Sequence, residues 1–206
     1  MKSMLRYVSI GLLLVATVLS TSACFPLFAG GAVMTGLVAV DRRTSGAMLE
    51  DQSIELKISG RIREALGEKV HINVTSYNRK VLLTGEAPDQ QDKERVAEIA
   101  KLTDNLTSVW NEVGVTAITT LTERTNDLVT AGRIKADLID AKDLFSNAYK
   151  VVVERGTVYV MGRITARESK RVASVISGVT GVKKVVLVHE TITEEELANL
   201  TAKPAN

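Results

Sequence analysis

Apolar and polar positions alternate with two different periods along the chain, and the period changes in a fixed order. From residue 49 onward, apolar side chains first recur every three or four positions, at Ile58, Ile62 and Leu66. This spacing predicts an amphipathic helix that turns one face toward a core. A second helix of the same kind is predicted around Val96 and Ile99.

Two runs between these helices show the alternation of strands, Ile72 to Tyr77 and Lys80 to Thr84. Asn78 lies in the connection and tolerates the positive φ angle of a tight turn, so the pair predicts a β-hairpin whose second strand ends at Gly85. A closing strand is predicted from Ser108 to Thr116. The resulting order, αββαβ, is typical of a two-layer sandwich with helices on one face of a small sheet.

The same order recurs in the second half of the chain. Ile58 to Leu66 aligns with Thr130 to Leu138 through a shared Gly-Arg-Ile triplet, and Lys80 to Gly85 aligns with Thr157 to Gly162. We therefore predict an α+β protein built from two tandem units, a linker between them and a tail. These are a first unit at 49–117, a threonine-rich linker at 118–127, a second unit at 128–195 and a tail at 196–206.

The first 23 residues have the three parts of a signal peptide. Lys2 and Arg6 precede an apolar run from Tyr7 to Leu19, and small residues follow up to Ala23. The apolar run is shorter than the roughly 20 residues of a membrane-spanning helix. The segment 1–23 therefore predicts a cleaved leader and an exported protein.

Cys24, the single cysteine of the chain, stands at the predicted cleavage point. A lone thiol forms no internal disulfide, and the stretch from Leu19 to Cys24 resembles a bacterial lipobox, which implies that Cys24 carries a lipid. The resemblance also implies the outer membrane, because Phe25 stands where an aspartate tends to retain lipoproteins at the inner membrane. We interpret residues 24–48 as a tether close to the membrane, and the apolar stretch 25–40 leaves a hairpin of two short spans as an alternative.

Several short motifs accompany the αββαβ order. The second strand of each unit ends in Val-x-Leu/Val-x-Gly, at Val81 to Gly85 and at Val158 to Gly162, and a Gly181-Val182-x-x-Val185 signal precedes the last strand. In this combination the chain resembles the BON domain family, although Asn105-Leu106 replaces the Gly-Val pair in the first unit. A lipobox followed by two BON units is similar to a narrower group of lipid-binding lipoproteins. That likeness implies a lipid anchor at the periplasmic face of the outer membrane and a role in envelope integrity.

No spacing of residues along the chain points to catalysis. The two histidines, His71 and His189, share no motif and are expected to be ordinary strand residues. Aromatic residues make up 4% of the chain, which leaves little material for a stacking platform that holds single-stranded nucleic acid. We therefore expect a non-enzymatic protein without a metal, a cofactor or a nucleic-acid partner.

The two units carry opposite net charges, although the whole chain has a formal charge of +2. Residues 49–117 contain nine basic and twelve acidic residues, a net charge of −3, whereas residues 128–195 contain eleven basic and eight acidic residues, a net charge of +3. Near an anionic leaflet, each exposed Lys or Arg contributes on the order of 1 kcal/mol. The second unit is therefore the better candidate for binding an anionic phospholipid membrane.

The predicted lipid-binding residues lie on the first helix of the second unit and just after it. Apolar side chains are expected to enter the headgroup boundary while basic side chains meet phosphates, and the resemblance to lipid-binding lipoproteins implies the same role for this unit. The residues are Leu128, Val129, Arg133, Lys135, Leu138 and Phe145. Two alternatives stay open: a solvated basic surface without a ligand, and a module that recruits envelope-assembly or cell-wall-remodelling proteins through a sheet edge or the acidic first unit.

Overall fold

The computed structural model describes residues 41–202. The predicted signal peptide, Cys24 and the apolar stretch 25–40 lie outside the described residues. Within residues 41–202, no helix combines the length and the apolar character that crossing a membrane requires. The described part contains two consecutive αββαβ units, which confirms the predicted α+β fold.

The first unit begins earlier than predicted. Helix α1 runs over Ser45–Leu66 and is followed by a 3-10 turn at Gly67–Lys69. The hydroxyl of Thr44 accepts a hydrogen bond from the Ala47 N–H and so caps the helix, which means that part of the predicted tether at 24–48 is helical. The later elements are β1 (His71–Tyr77), β2 (Lys80–Ala87), α2 (Gln90–Lys101), β3 (Ser108–Asn111) and β4 (Gly114–Val115).

The second unit repeats this order and also begins earlier than predicted. Helix α3 runs over Leu121–Asp140, so most of the predicted linker at 118–127 is helical. A further helix, α5 (Glu194–Ala202), occupies part of the predicted tail. The elements between them are a 3-10 turn (Ser146–Ala148), β5 (Tyr149–Glu154), β6 (Thr157–Ile164), α4 (Ala166–Ser177), β7 (Lys184–Leu187) and β8 (Glu190–Thr191).

Each unit forms one small sheet around its second strand. β2 pairs antiparallel with β1, which sets His71 opposite Glu86, and it pairs parallel with both β3 and β4. β6 pairs with β5, β7 and β8 in the same way. The closing strand, predicted as continuous, is thus broken in both units. In the first unit the Asn111 side chain supports the break, because its amide donates to the Lys93 carbonyl and its oxygen accepts from the Val113 N–H.

The helices of each unit cover one face of its sheet. Helix α1 presents Ile54, Ile58 and Ile62, which recur every fourth position, to Val81 and Leu83 of β2. In the second unit α3 and α4 cover β6 in the same manner. The residues that form this second core include Ile134, Leu138, Val158, Val160, Val172 and Ile176.

Two equivalent aspartates hold the hairpin turns. Asp51 of α1 accepts hydrogen bonds from the N–H groups of Asn78 and Arg79 in the first turn. Asp127 of α3 accepts hydrogen bonds from the N–H groups of Arg155 and Gly156 in the second turn. Because the two carboxylates perform the same task, they mark corresponding positions of the repeat.

This correspondence corrects the predicted alignment of the first helices. With Asp51 matched to Asp127, Ile58 matches Ile134, whereas the shared Gly-Arg-Ile triplet had matched Ile62 to Ile134. The difference is four residues, about one helical turn. Gly60 and Gly132 are both exposed, and a Cβ added at either would contact nothing, so the fold does not require glycine at equivalent positions.

Gly85 lies within β2 and does not end it, contrary to the prediction. It pairs with Ile72 at a φ of +109°, and the strand continues to Ala87. A Cβ at this position would lie 1.9 Å from the carbonyl oxygen of His71. Glycine is required here because the neighbouring backbone approaches too closely for any side chain.

The opposite faces of the two sheets pack against each other. Successive side chains of a strand point to opposite faces, so Val81 and Leu83 face the helices while Leu82 faces the second unit, where it packs with Tyr159 and Met161 of β6. Each sheet is therefore covered by its own helices on one face and by the other sheet on the other. The helical layers were predictable from the sequence, whereas this sheet-to-sheet contact was not predicted.

The segment before α1 joins the first helix to the second unit. Arg42 is buried, and its guanidinium donates to both carboxylate oxygens of Glu168, at 2.6 and 2.8 Å, and to the Arg163 carbonyl. Burial acts to raise the pKa of Glu168, but the hydrogen bonds from Arg42 and from the Thr165 N–H, together with the positive charge of Arg42, lower the pKa below its usual value. Arg43, the next residue, forms an ion pair with Asp51 of α1. The two neighbouring arginines therefore link this segment to both units.

Replacing Gly85 with Ala should destabilise the chain, whereas replacing the exposed Gly60 with Ala should not. The first change places a Cβ against the His71 backbone and forces a side chain into a positive-φ conformation, at a cost of about 2–4 kcal/mol. The second adds a methyl group in open space within a helix and should stabilise by up to about 1 kcal/mol. Urea unfolding followed by circular dichroism measures both, and equal stability of the two variants would contradict the close approach at Gly85.

Replacing Asp51 with Asn should destabilise the chain by about 2–3 kcal/mol at neutral pH, because a buried carboxylate that accepts several hydrogen bonds is lost. Burial acts to raise the pKa of Asp51, but donors from Arg79, Ser76 and Arg43 lower it below the ordinary value of 3.8. A lowered pKa in the folded state contributes stability above the unfolded pKa, and that contribution is lost as pH falls. The difference in unfolding free energy between wild type and variant should therefore narrow as the pH falls below the ordinary aspartate pKa of 3.8, as measured by urea unfolding at each pH.

Candidate membrane-binding surface

Helix α3 owes its position to a capped start and a single buried stripe. Thr120 and Glu123 form a capping box, in which each side chain accepts a hydrogen bond from the backbone of the other residue. Thr130, Ile134 and Leu138 are buried at four-residue spacing and fix the face that packs on the sheet. The remaining faces of the helix are directed away from the core.

Leu138 is removed from the predicted lipid-binding set. Its side chain is fully buried and packs in the core of the second unit, where it corresponds to Ile62 of the first. The four-residue spacing of Ile134 and Leu138 puts both on one face of α3, so Leu138 belongs with the core residues and not with the exposed ones. A residue that is buried in the folded unit offers no side-chain surface to a membrane.

The other predicted apolar residues are exposed. Leu128 has 74% of its surface accessible, Val129 has 47%, and Phe145, which follows the helix, has 52%. Two exposed residues that the prediction missed, Leu121 (81%) and Ile139 (61%), share the helix. Both residues lie away from the buried face of the helix. Their exposure could have been predicted from helical spacing once Thr130 and Ile134 were known to face the core.

Leu121, Leu128 and Ile139 lie along one side of the helix. At 100° per residue their side chains fall within about 20° of a common line. This line, which we name the α3 ridge, extends over most of the length of the helix, with Lys135 beside it. Large apolar side chains exposed singly are ordinary on protein surfaces, but several that share one face of a helix are a feature of interaction sites.

Lys135 lies beside the ridge, whereas Arg133 lies about 120° around the helix from it, in the lining of a groove. Neither forms an ion pair with a carboxylate among the described residues. The Arg133 guanidinium donates a long hydrogen bond of 3.4 Å to the Thr180 carbonyl. The Lys135 ammonium donates to the Ser146 carbonyl and the Asn147 side chain, at 2.9 and 3.0 Å. Partial burial lowers the pKa of Lys135. Both groups keep donors available, because an arginine has five N–H groups and a lysine three.

A groove beside α3 carries further basic groups. It has a volume of about 420 Å³, and its lining includes Arg133, Arg155 and Lys183 together with Glu123 and Asp127. The two carboxylates are engaged in the fold, since Glu123 belongs to the capping box and Asp127 holds the hairpin turn. The basic side chains of the groove therefore face a site whose acids already accept hydrogen bonds.

Part of the positive excess of the second unit serves the fold. Four basic residues of this unit form ion pairs with Glu55, Glu190, Glu194 and Asp143: they are Lys150, Arg163, Arg167 and Arg171. Exposed pairs of this kind contribute up to about 1 kcal/mol each, yet they reduce the charge that a membrane meets. The net charge counted along the sequence therefore overstates the field at the surface.

The first unit provides a natural comparison for the α3 ridge. Leu49 and Leu56 of α1 are exposed to a similar degree, and their seven-residue spacing matches that of Leu121 and Leu128. Exposure alone thus does not distinguish the two helices. The difference lies in the net charge of the units that carry them.

Comparisons with known proteins agree with this architecture. A BON domain model matches residues 50–117 and 126–188, which confirms the resemblance inferred from the sequence. The chain is similar to an outer membrane lipoprotein, DolP, of Haemophilus influenzae, with 28% identity over 181 residues that cover 87% of this chain and 93% of the relative. It is also similar to a 21 kDa hemolysin of Actinobacillus pleuropneumoniae, with 28% identity over 151 residues, 72% of this chain and 78% of the relative.

Solved structures of CdsD, a structural protein of the type III secretion system of Chlamydia trachomatis, show a weaker likeness. One has 13% identity and a TM-score of 0.30, and covers 76% of this chain and 98% of that structure. A second, its C-terminal domain, has 12% identity and a TM-score of 0.29, and covers 73% of this chain and all of that structure.

Proposed function

Because the chain belongs to the BON domain family and carries two of its domains in tandem, we propose that it is a non-enzymatic, lipid-anchored protein whose second unit binds anionic phospholipid. The anchor is a lipid on Cys24, and the location is the periplasmic face of the outer membrane. There the protein supports the integrity of the envelope. The similarity to an outer membrane lipoprotein over most of the chain supports the location.

The observation that carries the lipid-binding proposal is the α3 ridge with its basic flank. Leu121, Leu128 and Ile139 are the apolar side chains that enter the boundary between headgroups and acyl chains. Lys135 stands beside them and Arg133 lies farther around the helix in the groove lining, and these are the two basic groups of α3 that would meet phosphates. The apolar contact provides insertion and the basic contact provides preference for anionic lipid.

A second function, recruitment of an envelope protein, is favoured by the exposed leucines of the first unit. Leu49 and Leu56 form a shorter apolar row on α1, in a unit with a net charge of −3 that an anionic surface repels. A protein with a complementary apolar groove fits this row better than a membrane does. The two proposals assign different helices.

Replacing Leu121 and Leu128 with Ser should weaken binding to vesicles that contain anionic phospholipid by at least about tenfold, because two exposed apolar side chains of the ridge are removed. Reversing Arg133 and Lys135 to Glu should weaken it mainly at low salt, since screening at about 0.15 M acts over roughly 8 Å. Flotation of residues 41–206 with anionic and with neutral vesicles provides the measurement. The two units are kept together because their sheets share an apolar interface.

The matched control replaces Leu49 and Leu56 with Ser on the equivalent helix of the first unit. These residues are as exposed as Leu128, so the change removes a comparable apolar area without affecting the core. We expect this variant to bind anionic vesicles like wild type. Equal losses in both variants, or equal binding to neutral vesicles at high salt, would contradict the assignment of lipid binding to α3.

Replacing Cys24 with Ala should abolish lipidation and release the mature protein from the membrane fraction, because one acyl-bearing group is the proposed anchor. Intact-mass spectrometry of membrane-extracted protein measures the change directly. A variant that keeps the acyl mass of wild type would disprove the role of Cys24 and leave the vesicle experiment unaffected.

A further inference from the structure

A histidine and two glutamates meet where the two units join. His71 begins β1 and Glu86 lies opposite it on β2, so the ladder of the first sheet sets these two residues side by side. Glu154 ends β5 and comes from the second unit. The three residues are distant in sequence. From the sequence, His71 was expected to be an ordinary strand histidine, and no metal site was predicted.

The three side chains converge on one small volume. The Nδ1 atom of His71 lies 3.0 Å from Oε2 of Glu86. One potential ligand atom from each of His71, Glu86 and Glu154 lies within 4.8 Å of the others. Glu86 is completely buried and Glu154 is 8% exposed, so both carboxylates are largely withdrawn from bulk water.

One buried oxygen of this cluster accepts no hydrogen bond from the described residues. The Oε2 atom of Glu86 accepts from the N–H and the hydroxyl of Thr119, but Oε1 is buried without such a partner. The nearest cation, the Arg155 guanidinium, lies 4.0 Å from Oε1, beyond hydrogen-bond distance. An unsatisfied buried carboxylate oxygen is costly and calls for a specific explanation.

The charges of the cluster also call for a cation. Glu86 and Glu154 are both buried, and the Asn73 side-chain amide donates a hydrogen bond to Glu154. Two buried carboxylates repel each other unless a proton or a positive ion lies between them. A divalent ion relieves that repulsion and satisfies the free oxygen of Glu86 in one step.

The fold itself does not demand this cluster. When Gly85 is matched to Gly162, His71 corresponds to Ala148 and Glu86 corresponds to Arg163. The second unit therefore forms the same hairpin with neither ligand. The cluster is an addition to one unit, completed by a carboxylate of the other.

We propose that His71, Glu86 and Glu154 form a site for a divalent transition-metal ion, of which Zn²⁺ is the best match. Zinc binds imidazole nitrogen and carboxylate oxygen at about 2.0–2.2 Å, and an imidazole ligand disfavours Mg²⁺ and Ca²⁺. The side-chain amide of Asn73 and the hydroxyl of Thr119 orient the two carboxylates through their hydrogen bonds.

A water molecule completes the coordination from the open side. A cavity of about 450 Å³ adjoins the cluster, and its lining includes His71, Asn73 and Glu154. Three protein ligands and one exchangeable position are the arrangement of an accessible zinc site. Because the ligands come from both units, bound metal clamps the interface between them.

The test is a Zn²⁺ titration of the full chain in detergent micelles by isothermal titration calorimetry. Cys24 is replaced with Ser in every sample, and no histidine tag is present, because a thiol and added histidines are themselves zinc ligands. We expect one Zn²⁺ per chain. Titration with Co²⁺ provides a second readout, since visible absorption bands report its coordination geometry.

Three variants and one control locate the metal. His71→Gln and Glu154→Gln each remove a ligand and should weaken Zn²⁺ binding by more than about tenfold, and Asn73→Ala, at an exposed position, should weaken it by about tenfold. The control is Glu190→Gln, which changes another carboxylate that links the two units, through Asn78. We expect the control to bind Zn²⁺ like wild type.

Thermal melts with and without Zn²⁺ separate binding from folding. Excess Zn²⁺ should raise the Tm of wild type and of Glu190→Gln, and should leave that of Glu154→Gln unchanged. Absence of binding up to about 1 mM Zn²⁺, or equal affinity of Glu154→Gln and the control, would overturn the proposal. If the ligand variants fail to fold, Asn73→Ala decides, and an unchanged affinity in that variant overturns it as well.

Discussion

The contact between the two sheets is the constraint from which the other features of the fold follow. Each sheet has apolar side chains on both faces, but the helices of its own unit cover only one of them. Packing Leu82 against Tyr159 and Met161 resolves this, since fully burying such a side chain contributes roughly 1.5–3 kcal/mol relative to exposure. The two BON units therefore form one body of four layers, with sheets inside and helices outside.

Charged groups at the rim of this contact are paired because the apolar interior leaves them little water. Arg42 reaches from the segment before α1 to Glu168 on α4, and Lys150 of β5 reaches to Glu55 on α1. Only the Arg42–Glu168 pair is buried, and removing one of its members leaves an uncompensated charge, at a cost of about 3–5 kcal/mol, whereas the partly exposed Lys150–Glu55 pair contributes up to about 1 kcal/mol. These pairs fix the orientation of the units, and the His71, Glu86 and Glu154 cluster lies in the same zone.

The layer order also decides which surface is available to a membrane. Helices α1 and α3 lie on the outer faces, since their inner stripes at Ile58 and Ile134 are used by the cores. The exposed leucines on each helix follow from that placement. The lipid binding proposed at α3 and the metal binding proposed at the interface would act on the same body, because a metal that joins the two units would restrain α3.

Much of the fold was predictable from the sequence because local periodicity determines local structure. The helical spacing of Ile58 and Ile62, the alternation in the hairpins and the recurrence of the Val-x-Leu/Val-x-Gly pattern were sufficient to predict two αββαβ units and their family. A positive-φ turn at Asn78 was likewise predictable, because its chemistry is local. The charge difference between the units is also a property of the sequence alone.

Only the tertiary structure decided which side chains are accessible and which are brought together. Aligning the units by the shared Gly-Arg-Ile triplet puts their first helices one turn out of register. The hydrogen bonds that Asp51 and Asp127 accept from the hairpin turns give the correct register, because they join residues that are distant in sequence. Leu138 proved to be a core residue and Leu121 an exposed one for the same reason. The proximity of Glu154 to His71 depends on the packing of two sheets, and no spacing along a chain records a contact that forms only when separate units meet.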